Sequence, residues 1–186
     1  LSAQLQQTTI GSPTAEGVRM GALVSRDQLG VLRQRIAELA RDAEIVYGSP
    51  DEVAVIGADA EKGAFCQPVL LLNDDPLNKT AAHHIEAFGP VSTLMPYREL
   101  DEAITLANRG KGSLVSTVAT ADEQVATAYV MGAAAYHGRI LILNEESAKE
   151  STGHGSPMPM LVHGGPGRAG GGEEMGGVQL KNSFIF

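Results

Sequence analysis

The sequence predicts an α/β fold built from parallel βαβ units, and two observations carry that reading. Between positions 91 and 143, apolar runs of strand length alternate with helical patterns across short loops. Such alternation feeds parallel strands through right-handed crossovers. Upstream, Leu29, Leu32, Ile36, Leu39 and Ala43 recur at three and four residues, the spacing of a helix that lies with one face on a core.

Each element has its own local warrant. Ser25-Arg26-Asp27-Gln28 has the spacing of a capping box and opens the first amphipathic helix, expected over 25–45. Arg33, Arg35, Glu38, Arg41 and Asp42 occupy its other faces as a solvated surface. Two apolar runs, 53–56 and 65–72, flank the stretch from Gly57 to Gly63 and read as a hairpin or a pair of edge strands. Residues 91–95 read as a strand. Leu100, Ala103, Ile104 and Ala107 mark a short helix that stops at Gly110, and 114–119 reads as the next strand. Thr120-Ala121-Asp122-Glu123 is a second capping box, opening a helix that runs to about Ala135, and 139–143 is a third strand.

Beyond Asn144 the regular pattern stops. Ten of the 22 glycines fall between Gly153 and Gly177. Such composition buries little surface, which suits a linker. Yet the same stretch carries histidines, an arginine and acids, and long loops in compact domains tend to be functional. On composition the two readings stand level. The end, Ser183-Phe184-Ile185-Phe186, is apolar and either packs as a strand or marks a cut chain.

Charge and composition exclude several functions. The chain has 186 residues, 43% of them hydrophobic, with 22 acidic against 14 basic side chains and a formal charge of −8. A negative field repels a phosphate backbone, so no nucleic-acid partner is expected. No run approaches the roughly 20 apolar residues of a membrane span, and no signal peptide is visible, so no membrane partner and a cytoplasmic location are expected. The lone Cys66 cannot form an internal disulfide, which suits a reducing compartment.

Three motifs lack the context their chemistry needs. Gly165-Pro166-Gly167-Arg168-Ala169-Gly170 matches the dinucleotide fingerprint by letter, but a poor helix opening follows it. Cys66, among Phe65 and aliphatics, has no local cation or helix N-terminus to stabilise a thiolate and reads as a core residue. His83 and His84 are adjacent, so they point to different faces, and no metal site is expected. Glu86 is more suggestive, because Ala87-Phe88-Gly89-Pro90 follows it and leads into an apolar strand. A carboxylate and a flat ring at such a turn can be presented together to a ligand.

At EAFGPVSTLMP (86–96) the sequence resembles the aldehyde dehydrogenase superfamily. GSPTAEGVRMGALVS (11–25) resembles that family's segment after the nucleophile helix, and GAFCQPVLL (63–71) its G-x-F-x-x-P-T-L strand. The block from His137 to Gly177 resembles the branch that oxidises coenzyme A-linked semialdehydes in aromatic catabolism of the phenylacetate type. The resemblance covers nearly all of the chain. It implies a three-layer catalytic-domain fold, incomplete in this chain: 1–186 would be the C-terminal part of the domain, with a βαβαβ core over 91–143, a glycine-rich active-site loop over 144–177 and the start of a C-terminal strand over 178–186.

In that family a cysteine attacks the aldehyde, hydride passes to NAD or NADP, and a glutamate-activated water releases the acid. The resemblance implies that nucleophile, oxyanion donor and general base all lie before Leu1, and that Cys66 is not the nucleophile, since the family has an ordinary apolar strand residue there. It further implies that Glu86 hydrogen-bonds the nicotinamide ribose, that Phe88 packs beside the nicotinamide, and that Asn144 and His163 line the substrate pocket. There the chain departs from the commoner pattern: Ile-Leu-Asn replaces Trp-Val-Asn, a longer loop follows, and His163 stands where an aromatic precedes Gly-Gly. The implied partners are a small aldehyde linked to coenzyme A, the remainder of the same polypeptide, and further copies in a homo-oligomer. The isolated chain is expected to be inactive and to expose apolar surface. Two other classes stand beside this one: a truncated, non-catalytic homologue acting through its interfaces, and a glycine-rich module that holds an anion.

Overall fold

The computed structural model describes residues 1–150 and 164–170. His163, most of the glycine-rich loop and the expected strand at 178–186 lie outside the described residues. The chain divides into two compact units, residues 1–96 and 97–186.

The first unit is organised by one helix. After a short turn of helix, α1 (Ser2–Leu5), comes α2 (Arg26–Leu39), whose Ser25 N-cap accepts a hydrogen bond from the Gln28 amide at 3.1 Å. The apolar stripe does what its spacing predicts: Leu29, Leu32, Ile36 and Leu39 are buried against Ala64, Cys66, Val69 and Leu71. Burying each such aliphatic side chain contributes about 2 kcal/mol. The helix is shorter than expected. It ends at Leu39, and Ala43 packs on the core from the turn beyond it.

Three strands form the sheet of this unit. β1 (Glu44–Tyr47) runs antiparallel to β2 (Val69–Leu72), and β2 runs parallel to β3 (Val91–Leu94) through a crossover that includes α3 (Ala81–His84). The hairpin or pair of edge strands expected from 53–56 and 65–72 does not form, since β2 is the central strand of this sheet. The partner of β2 is β1, while Ile56 makes an isolated parallel bridge to Gly11, donating its amide to Ile10 and accepting from Ser12. Only the last four residues of 65–72 join the ladder. An apolar run alone did not say which backbone it would meet.

The second unit holds one βαβ motif. β4 (Ser113–Ala119) and β5 (His137–Leu143) pair in parallel, with Ser113 opposite His137 and Ala119 opposite Leu143. Between them runs α5 (Glu123–Ala133), preceded in the chain by α4 (Leu100–Asn108) ahead of β4. The two helices are tied by Asn108 Nδ2, which donates to the Gly132 carbonyl at 2.9 Å. Buried Tyr129 shares a short hydrogen bond between its hydroxyl and Ser116 Oγ, fixing α5 to β4. The α5 cap also differs from expectation. Asp122, not Thr120, is the N-cap: its Oδ1 accepts from the amides of Gln124 and Val125, while Thr120 Oγ1 accepts from the Asp122 amide. A carboxylate one residue from the helix reaches both orphan donors, which the more distant hydroxyl does not.

Of the elements expected over 91–143, β3 completes the sheet of the first unit, and β4 and β5 pair in the second. The alternation was read correctly as parallel α/β, but it spans the boundary at Pro96 and Tyr97.

Candidate functional site

The segment from Glu86 to Gly89 emerges from α3, where the backbone turns extended at Ile85, and leads into β3. It forms one wall of an open cleft of ≈ 480 Å³ in the first unit, with Leu23, Val24 and Gln28 on the other. Glu86 is exposed, and the Phe88 ring is 72% exposed despite its size. Water disfavours an aromatic face held in that way, so an exposed ring beside a carboxylate is a surface suited to a partly flat, partly hydroxylated ligand.

The backbone of this segment is fixed from two sides. Toward the sheet, the Val91 amide donates to the Gly89 carbonyl at 2.8 Å and the Val69 amide to the Pro90 carbonyl at 2.9 Å. Toward the helix, Gln28 Nε2 donates to the Phe88 carbonyl at 2.8 Å. Gly89 lies directly on Leu32: a Cβ there would stand 2.6 Å from Leu32 Cδ2, closer than carbon atoms pack. Glycine is required at that position by the closeness of the helix. The spacing from Ser25 assigns Gln28 to the capping box, and no local spacing signals a bond formed 60 residues away.

Asn144 follows β5, and its Oδ1 accepts from the amides of Glu146 at 3.0 Å and Ser147 at 2.8 Å, which opens the short helix α6 (Ser147–Glu150). Its carbonyl oxygen is thus engaged in shaping the turn. Cys66 is buried in the core cluster, and burial pushes its thiol pKa up, the opposing pull of Arg33 being the weaker influence. A thiol so placed makes a poor nucleophile. His83 is buried and His84 exposed on α3, and among the described residues no group of three His, Cys, Asp or Glu side chains is placed to hold a metal ion. Among the described residues, Gly165–Gly170 packs beside the entry to β4. It turns there through a 3-10 segment (Gly167–Ala169), with the Arg168 amide donating to the Lys111 carbonyl at 3.1 Å. Gly112, at φ +126°, accommodates this approach, since a side chain there would overlap the Pro166 carbonyl.

Sequence reasoning also passed over His137, 8% exposed at the start of β5, whose Nδ1 lies 2.9 Å from Ser113 Oγ on the neighbouring strand. Desolvation by burial lowers its pKa.

This geometry can be set beside known proteins. The model of the aldehyde dehydrogenase family matches residues 1–183, and the chain belongs to that family. The particular relatives are informative. Over 167 residues it is 50% identical to a protein of Klebsiella aerogenes named protein MaoC, covering 89% of this chain and 48% of that one. Over 166 residues it is 39% identical to 3,4-dehydroadipyl-CoA semialdehyde dehydrogenase of Aromatoleum evansii, covering 89% of this chain and 32% of the relative. The chain therefore spans about half the length of one curated relative and a third of the other. Among solved structures, betaine aldehyde dehydrogenase of Staphylococcus aureus in complex with NAD+ superposes with a TM-score of 0.79 at 22% identity, covering 98% of this chain and 33% of that one. The fold is thus the α/β fold of the aldehyde dehydrogenases, present in part. No helix among the described residues is long and apolar enough to cross a membrane.

Proposed function

We propose that the chain is the C-terminal part of the catalytic domain of an NAD- or NADP-dependent aldehyde dehydrogenase. Its substrate is a semialdehyde linked to coenzyme A, in aromatic catabolism of the phenylacetate type. Within that branch we assign it to the bifunctional ring-opening enzymes, which join such a dehydrogenase to a MaoC-like hydratase. The names of the two curated relatives support this, as does the share of their length left outside this chain.

The observation that carries the reading is the cleft beside α2, where Glu86 and Phe88 face one space. Its residues fit a nicotinamide riboside: a carboxylate accepts from vicinal hydroxyls, and an exposed ring offers its face to a planar heterocycle. A bound dinucleotide supplies hydride acceptance. The chain's own part is to hold it: Glu86 orients the ribose, Phe88 covers the nicotinamide, and Leu23 and Val24 line the facing wall. Asn144 and His163 belong to the substrate pocket in this reading, and the glycine-rich stretch 144–177 to the active-site loop. The nucleophilic cysteine and the general base come from outside the chain, since its lone thiol is buried with its pKa raised. Several large apolar side chains stand well exposed, among them Val24, Met131 and Tyr97, which supports assembly with the remaining polypeptide and with further copies in the cytoplasm.

Two measurements test the proposal. The purified 186-residue chain, given a coenzyme A-linked semialdehyde and NADP or NAD, is expected to reduce no dinucleotide; turnover comparable to a complete enzyme refutes the assignment of the nucleophile. In the full-length polypeptide, Glu86→Gln is expected to weaken dinucleotide binding about ten- to a hundredfold, the worth of one hydrogen bond to a charged acceptor. Unchanged binding refutes the reading of the cleft.

A further inference from the structure

We propose that Gln28 is a positioning residue for Glu86 and Phe88: its carboxamide anchors the Phe88 carbonyl to the first turn of α2 and so sets the cleft's geometry before any dinucleotide arrives. The inference rests on the reading of the cleft given above and extends it to the helix that supports it.

In a complete capping box, the third residue of the helix turns its side chain back to the N-cap amide. Here only half of the box is used in the expected way. Ser25 Oγ accepts from the Gln28 amide, but Gln28 Nε2 reaches outward to the Phe88 carbonyl at 2.8 Å. One helical turn on, Leu32 is buried with 1% of its surface exposed and lies against Gly89. Positions 28 and 32 are neighbours on one helix face, so two successive side chains of α2 hold two successive residues of the segment. The sheet holds the other side through Gly89 and Pro90. The Phe88 backbone is therefore clamped between helix and sheet while its ring is left in solvent.

The chemistry of the amide suits this role. A neutral donor satisfies the Phe88 carbonyl and adds no charge to a cleft that already contains the Glu86 carboxylate. A carboxylate in its place keeps the shape, loses the donor and sets like charge near Glu86. A thioether keeps the length of the side chain and loses the bond without adding charge.

The test uses the full-length polypeptide with Gln28→Met and Gln28→Glu, read by amide hydrogen exchange without dinucleotide at Val69 and Val91, which donate to the Pro90 and Gly89 carbonyls, and by NAD and NADP affinity. Both variants are expected to exchange faster at those amides and to bind dinucleotide about three- to tenfold more weakly, with KM rising by more than kcat falls and Gln28→Glu the worse of the two. Unchanged exchange overturns the proposal even if affinity falls, because the glutamine would then act by touching the ligand. Faster exchange with unchanged affinity overturns it too, provided that Glu86→Gln weakens binding. If Glu86→Gln leaves binding intact, the reading of the cleft fails, and the exchange rates alone decide whether Gln28 holds the segment.

Discussion

Replacing Gly89 by alanine adds one methyl group at the most crowded point of the cleft's support, and its cost follows from three distances. The new Cβ would stand 2.6, 2.9 and 3.3 Å from Leu32 Cδ2, Cδ1 and Cγ, where carbon atoms normally rest at about 3.5–4.0 Å. Leu32 cannot swing aside, because it is 1% exposed and surrounded by Leu29, Ile36 and the β2 residues. Either the leucine leaves its rotamer or the 86–90 segment lifts from α2, and overpacking of this kind costs about 1–3 kcal/mol. For a chain of this size that lowers Tm by roughly 2–12 °C. The matched control is Gly30→Ala in α2, where an added methyl meets nothing within 4 Å. Alanine in a helix interior is better than glycine by about 0.5–1 kcal/mol, so this variant should be more stable. Urea unfolding of both variants beside the parent decides the matter. A Gly89→Ala protein as stable as the parent, with Gly30→Ala stabilising as expected, would show that the helix and the segment are not in the close contact described.

Two further outcomes are expected. His137 has its pKa lowered by burial from 6.5, so the unfolded chain takes up a proton at a pH where the folded chain does not. The stability linked to this ring is present in full above about pH 6.5 and is lost as pH falls toward the depressed folded value. His137→Gln should therefore flatten the change in urea midpoint between about pH 7.5 and about pH 5.5, and a parallel slope in parent and variant refutes the assignment. Cys66 should resist alkylation in the folded protein, since it is buried and its thiol is pushed up. Peptide-resolved labelling with iodoacetamide should follow unfolding, and modification of the native protein at the rate of a free thiol sinks that account.

Much of the fold could be read from local pattern, because helices announce themselves over a few residues. Leu29, Leu32, Ile36 and Leu39 carried both the spacing and the burial of α2. β1 was missed for a physical reason: Ala43 continues the helical spacing, and Glu44–Tyr47 follows at once with only alternate residues turned inward. Residues 53–56 looked as strand-like as β2 but meet backbone at one bridge alone. Pairing is a long-range property that an apolar run does not encode, which is why β1 and not 53–56 stands beside β2. The site divides along similar lines. Glu86 and Phe88 were legible because one short segment carries both. Gln28 was not, since its partner lies 60 residues on. Asn144 offered a signal that went unread, for Asn144-Glu145-Glu146-Ser147 has the spacing of a helix start, and its side chain serves that start.

The face of α2 defined by Gln28, Leu32 and Ile36 runs from the cleft straight into the core. Ile36 and Leu32 share one core cluster and Leu32 bears on Gly89, so repacking at Ile36 changes the support beneath the segment. Substitutions that change the shape of the 86–89 segment are therefore not confined to that segment. Grafting the 86–96 segment of a relative onto this scaffold transfers half of a matched pair; the helix that was shaped against it has to travel with it.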